Sequence, residues 1–228
     1  MNIENTTTTG SNSQTKNIDI ENIDNISRST DSKSMVGLPL QNMVRELLNS
    51  IPLNDDGSSN VNDEVMENTP KRFLKGFQEL TSGYLVNVPE LLQSAMFDSE
   101  GYDDIVMVDD IDFTSLCEHH LLPFQGKVTI AYIAGDKILG LSKFARLVEA
   151  YARRISLQER LTKEIATALD TQLKPKGVCV IVNSEHSCMS IRGVRSKDST
   201  TRTIFTTGVF KTDKTVLDRL FALRTSSK

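Results

Sequence analysis

The sequence predicts an α+β domain: an antiparallel four-stranded sheet with two helices on one face, preceded by N-terminal helices. Two observations carry that expectation. Beyond residue 100 the apolar residues follow strand-like patterns over two segments, recur at helical spacing over the next two, and turn strand-like again over two more. The order strand-strand-helix-helix-strand-strand suits two hairpins joined into one sheet, with the helix pair packed on a single face. A third observation bounds the folded part. Residues 1–35 are rich in Asn, Ser, Thr and Asp and carry few large apolar side chains beyond scattered Ile. Such a segment cannot bury enough surface to offset its ordering entropy, so it is expected to be a disordered low-complexity tail.

The elements follow in order. Leu40, Met43, Val44, Leu47 and Leu48 recur at helical spacing and predict a helix from Leu38 to about Ser50. A polar loop follows, Asn54 to Asn62, with Asp56-Gly57 as its turn signal. Asn68-Thr69-Pro70 then reads as a helix start with proline in the first turn, and Phe73, Phe77 and Leu80 line one face of that second helix. Residues 36–100 thus form an N-terminal helical segment and residues 101–228 the sheet-bearing domain. Within the latter, Asp104 to Phe113 and Lys127 to Ala134 are rich in Val, Ile and Tyr and predict strands, with a turn at Gly135-Asp136. Phe144, Leu147, Val148 and Tyr151, then Leu161, Ile165, Ala168 and Leu169, predict two helices. Lys174-Pro175-Lys176-Gly177 ends the second. Val178 to Asn183 and Thr203 to Phe210 predict two further strands, and Lys214 to Leu223 a closing helix.

Composition narrows the function classes. The chain has 228 residues, 38% of them hydrophobic, enough to supply a core. Three cysteines are too few and odd in number for a disulfide framework, so free or metal-bound thiols in a reducing compartment are expected. No stretch approaches the roughly 20 apolar residues of a membrane span. The N-terminus has neither an apolar signal core nor a basic transit composition, which predicts a cytoplasmic protein. A formal charge of −4 gives no general attraction to nucleic acid or anionic membrane.

All three histidines lie in two short clusters, Cys117-Glu118-His119-His120 and Glu185-His186-Ser187-Cys188, with two of the three cysteines. Thiolate and imidazole together suit Zn²⁺, which prefers them in a tetrahedral shell. Cys117 and His120 can reach one ion from a tight turn, and Cys188 can complete a three-residue shell from a distant strand. That leaves a fourth position for water, and His119 and His186 beside the metal as proton donors or acceptors. A structural zinc closed by His119 or His186 uses the same residues, although five candidates for four places exceed what it needs. A nucleotide deaminase would need a later Pro-Cys-x-x-Cys, which the chain lacks. Nothing around Cys117 or Cys188 resembles a cysteine-protease nucleophile setting. Cys179, inside Val178-Cys179-Val180, reads as a small buried hydrophobe.

Basic residues flank the clusters: Lys143 and Arg146 at a helix start, and Arg192 after the second cluster, suited to phosphate oxygens. Arg153, Arg154 and Lys163 read as solvated helix charges. Gln158-Glu159 opens a helix, where a carboxylate complements the helix dipole. Local evidence favours a capping role for Glu159, although Glu is also the side chain that can accept two N–H bonds from a guanine edge.

These residues stand in longer motifs: Thr69-Pro70-Lys71-Arg72, Cys117-Glu118-His119-His120-Leu121-Leu122-Pro123-Phe124, Leu141-Ser142-Lys143-Phe144-Ala145-Arg146, Gln158-Glu159-Arg160-Leu161-Thr162, and His186-Ser187-Cys188-Met189 leading to Arg192-Gly193-Val194. Through them the chain resembles the zinc-dependent GTP cyclohydrolase I family from about Leu38 or Thr69 through Arg224. The resemblance implies the tunnelling fold, in which subunits join their sheets into a barrel, and a homodecamer of two pentamers with sites at subunit interfaces. It implies that Cys117, His120 and Cys188 hold Zn²⁺, that His119 and His186 are the acid-base pair, and that Glu159, helped by Gln158, reads guanine. Ser142, Lys143, Arg146, Arg192 and Arg72, with Lys75, would hold the triphosphate. The implied reaction opens the guanine imidazole ring of GTP, releases formate and recloses to 7,8-dihydroneopterin triphosphate, the entry to folate or tetrahydrobiopterin synthesis. Allosteric control by a regulatory feedback protein belongs to the same set of expectations.

Overall fold

The structure, a computed structural model, describes residues 37–55 and 57–225. The expected N-terminal tail and the Asp56 half of the predicted turn lie outside the described residues. Helix α1 (Gly37–Asn49) packs against α2 (Asp63–Leu80), and a 3₁₀ turn (Ser82–Leu85) leads to the short α3 (Val88–Gln93). Strand β1 (Met96–Asp98) pairs antiparallel with β4 (Lys137–Leu139) as a small separate sheet. The main sheet runs β5-β2-β3-β6-β7, built from β2 (Ile105–Cys117), β3 (Pro123–Ile133), β5 (Ile155–Ser156), β6 (Gly177–His186) and β7 (Thr201–Thr206). Its four long strands are antiparallel, as expected, and β5 adds two residues parallel to β2 at the edge. Helices α4 (Ser142–Ala152) and α5 (Gln158–Leu173) cover one face. The one-turn α6 (Ser187–Ser190) follows β6, and α7 (Val209–Thr212) and α8 (Lys214–Thr225) end the described chain.

Strand alternation divides the core in two. Val128, Ile130 and Tyr132 of β3 and Val178, Val180 and Val182 of β6 point to the helix face, where they meet Phe144, Leu147, Val148, Leu161, Ile165 and Leu169. Each of those fully buried apolar side chains is worth roughly 1.5–3 kcal/mol relative to an exposed one. Ala131, Ile133, Cys179 and Ile181 point the other way and are covered by Phe210 and Leu220. Val88 and Leu92 of α3 join the first cluster, so the segment before residue 100 shares a core with the sheet.

Two sequence expectations are corrected. The second helix begins at Asp63, not at Asn68-Thr69-Pro70: Asn62 is its cap, with its side chain accepting from the Val65 N–H, and Asp63 and Glu64 lie in the positive first turn. Pro70 therefore sits inside the helix, buried. The last strand ends at Thr206 rather than Phe210. Gly208 adopts φ +51°, where any Cβ would meet the Lys176 carbonyl oxygen, and the reversal starts α7, which carries Phe210 inward. At the end of α5, Lys174 itself takes the left-handed conformation that closes the helix, at φ 49° and ψ 52°, just ahead of Pro175.

Candidate metal and acid-base site

One end of the main sheet gathers both histidine clusters. Cys117 is the last residue of β2, and its N–H donates to the Leu122 carbonyl at 2.9 Å. The His120 and Leu121 N–H groups both donate to the Cys117 carbonyl, at 3.3 and 2.8 Å, so the chain turns tightly enough to bring His120 back over Cys117. Leu121 completes the reversal at φ +54°, a conformation a branched side chain adopts only when the surroundings impose it. Glu118 ties this loop to its neighbours: its N–H donates to the Ser156 carbonyl at 3.1 Å, and its carboxylate meets the Arg160 guanidinium at 2.5 Å. The β3–β6 register sets Phe124 opposite His186, which carries Cys188, two residues further on, to the same end.

The outcome is that one ligand atom each from Cys117, His120 and Cys188 lies within 4.8 Å of the others. Cys117 is buried, Cys188 half-buried and His120 exposed. Burial, then the neighbouring Cys117, hold the Cys188 thiol above its ordinary pKa. A divalent cation between two sulfurs favours their thiolate forms. The set of two thiols and one imidazole therefore fits a thiophilic divalent metal ion. The third cysteine does not take part. Cys179 is buried on the opposite face of the sheet, and burial pushes its thiol to about 12.

His119 and His186 flank the cluster. The His119 Nδ1 lies 3.9 Å from the Cys117 sulfur, and its ring stands edge-on to His120 with centroids 6.1 Å apart. His186 stacks flat on Phe124, centroids 4.7 Å apart. Its Nε2 lies 2.9 Å from the Gln158 side-chain oxygen. Burial lowers the His186 pKa, and the Glu159 carboxylate nearby works in the opposite direction.

The remaining expected residues divide by position. Glu159 is exposed in the first turn of α5, and Leu157 at the cap makes no side-chain capping bond. Gln158 is turned inward and fully buried, with its amide bonded to Val182, Thr201, Thr203, Ser184 and His186. Arg192 follows α6 in an exposed turn with Gly193 at φ +60°. Ser142, Lys143 and Arg146 open α4, whose other end adjoins the metal cluster: the Arg154 carbonyl just beyond that end accepts from Ser115 and Leu116. At 1.5 Å per residue, the start of α4 is about 15 Å up the helix from there. Arg72 lies on α2, exposed and paired with Glu64 at 2.9 Å, and Lys75 is exposed one turn on. Arg192 stands close enough to Cys188 for its charge to act on that thiol, while Lys143, Arg72 and Lys75 sit on helix positions away from the cysteine end.

Sequence reasoning missed Thr162, Ser184 and Thr203, which surround Gln158. The signal was there for two of them. Thr162 interrupts the apolar inner stripe of α5, four residues after Gln158, and Ser184 continues the inward series Val178, Val180, Val182 as a polar residue.

The chain is similar to known proteins over most of its length. The family model described as GTP cyclohydrolase I matches residues 40–224. The chain is 46% identical over 169 residues to GTP cyclohydrolase 1 of Campylobacter jejuni subsp. doylei, covering 74% of this chain and 88% of that one. It is 46% identical over 173 residues to GTP cyclohydrolase 1 of Gloeobacter violaceus, covering 76% and 78%. Over 149 residues it is 50% identical to GTP cyclohydrolase 1 of Chlorobium chlorochromatii, covering 65% and 66%.

Proposed function

This chain belongs to the GTP cyclohydrolase I family, and we propose that it opens the imidazole ring of GTP by hydrolysis, releases formate and closes the product to 7,8-dihydroneopterin triphosphate. The observation that carries this reading is the meeting of Cys117, His120 and Cys188 with the two further histidines at one sheet end. Cys117, His120 and Cys188 hold Zn²⁺. When bound, zinc supplies Lewis-acid chemistry that makes water nucleophilic near neutral pH.

The chain's own side chains do the rest. His119 and His186 move protons: one protonates the purine ring so that carbon 8 becomes electrophilic, and the pair serves the later opening and reclosure of the ribose. Glu159, free of a capping duty, accepts N–H bonds from the guanine edge. Lys143, Arg146, Arg192, Arg72 and Lys75, with the Ser142 hydroxyl, hold the triphosphate, so that base and sugar can change shape without leaving. Ser142 and Lys143 lie about 15 Å, and Arg146 about 9 Å, along α4 from the cysteine end of their own chain. Their part in one site is then met by a neighbouring copy, which supports an oligomer with sites between subunits, the homodecamer of two pentamers. The exposed apolar residues Leu121, Leu141, Ile191 and Val194 are available for such contacts. The reading places the protein in the cytoplasm, at the first step of folate or tetrahydrobiopterin synthesis, with residues 101–228 as the catalytic domain.

The test is direct. Purified, zinc-loaded protein is expected to release formate from GTP and to yield a pterin that fluoresces after oxidation. A fully metallated oligomer that binds GTP and releases no formate would make this a binding protein instead.

A further inference from the structure

We infer that Gln158 is a positioning residue that fixes His186 in the Nε2–H tautomer and leaves Nδ1 as the only ring atom able to accept a proton. The order of the hydrogens follows from which atoms can only accept. The Thr162 hydroxyl lies 2.7 Å from the Gln158 backbone carbonyl, an acceptor, so its hydrogen points there. The 2.6 Å contact between the Thr162 and Thr203 hydroxyls must then use the Thr203 hydrogen. Thr203 Oγ1 is left to accept, and the Gln158 amide nitrogen stands 3.2 Å from it.

The same nitrogen faces two further acceptors, the Val182 carbonyl at 3.1 Å and the Thr201 carbonyl at 3.0 Å. Turning the amide over would set its oxygen against both carbonyls in a buried place, where little screens the repulsion. The amide orientation is therefore fixed, and Oε1 faces Ser184 Oγ at 2.7 Å and His186 Nε2 at 2.9 Å. An amide oxygen only accepts. His186 Nε2 must carry the hydrogen, and the ring is held in plane by the Phe124 stack. A basic nitrogen at Nδ1 is what a proton-transfer histidine needs, and here a hydrogen-bonded partner selects it, as second-row groups do for catalytic and metal-bound imidazoles.

The catalytic meaning of this tautomer rests on the proposed reaction, but the tautomer itself does not. With three histidines in the chain, zinc-loaded oligomer labelled with ¹⁵N in the imidazole rings gives three ring pairs, and a His186→Asn spectrum identifies the His186 pair. At about pH 8, where free imidazole is neutral, the expected spectrum has Nε2 protonated and Nδ1 bare. A protonated Nδ1 would overturn the inference, whatever the activity. Gln158→Met, of similar length, is expected to scramble the two tautomers, to lower kcat by about 10²-fold and to leave KM for GTP within about threefold. A rise in KM of tenfold or more at unchanged kcat would show instead that Gln158 contacts the substrate, and unchanged kinetics would also count against it. If the variant does not assemble, the wild-type spectrum decides. Loss of formate release in wild type with the expected spectrum would sink the reaction and leave the tautomer standing.

Discussion

Two groups of polar side chains sit on opposite faces of the same sheet. On the helix face, Gln158, Thr162, Ser184, Thr203 and His186 form a closed set in which each hydrogen has an acceptor, around a Gln158 that is 1% exposed. On the other face, Asp109 receives the Thr129 hydroxyl and the Asp110 N–H at the bulge in β2, and Arg224 reaches in from α8. There the set is left open. The Arg224 Nε lies 3.5 Å from the carboxylate, close enough for an ion pair, yet it makes no hydrogen bond and is shut off from solvent. The contrast is between a network that specifies one arrangement and an ion pair whose desolvation is met by proximity alone. Only the closed one touches a residue of the candidate site.

Breaking each group tests that contrast. The largest effect is expected for Gln158→Met, which strips partners from Ser184, Thr203 and the His186 Nε2–H at once. It should lower stability by about 2–4 kcal/mol, read as a shift of the thermal midpoint at fixed zinc and protein concentration. Thr203→Val removes one acceptor from an amide that keeps two others, and a loss of about 1 kcal/mol is expected by the same measurement. Smallest is Arg224→Met, which deletes an unsatisfied buried nitrogen while leaving Asp109 its other two partners. Its midpoint should move by less than about 1 kcal/mol in either direction, with formate release unchanged. A loss of 3 kcal/mol or more from Arg224→Met would erase the distinction.

Much of the fold was legible because burial and periodicity coincide. Phe144, Leu147 and Val148, and Leu161, Ile165 and Leu169, are at once the helical stripes of the sequence and the floor of the core. The clusters Cys117-Glu118-His119-His120 and His186-Ser187-Cys188 were legible because rare residue types stood together. What stayed hidden has both local and long-range causes. Asn62 outranks Asn68 as a cap because Asp63 and Glu64 continue its turn. Thr206 ends β7 because Gly208 meets the Lys176 carbonyl, 32 residues away in sequence and invisible to local patterns. The three-residue strands β1 and β4 are too short to carry a period at all. Neighbours one position apart on a helix point about 100° apart, and Gln158 and Glu159 face core and solvent respectively, so the inward network of Gln158 could not be seen from the pair's place at a helix start.

The Cys117–Cys188 approach has a mechanical side. The two residues are separated by about 70 residues of chain that include the whole helix face, so a metal bound to both closes that length into a loop as a disulfide would. Because the fastening is made at one tip of β2 and β6, its release would be felt first as fraying of that tip, with the Tyr132, Phe144 and Leu169 interior still packed. An ion held there would be a rivet at the edge of the sheet, and its loss would loosen the margin before the middle.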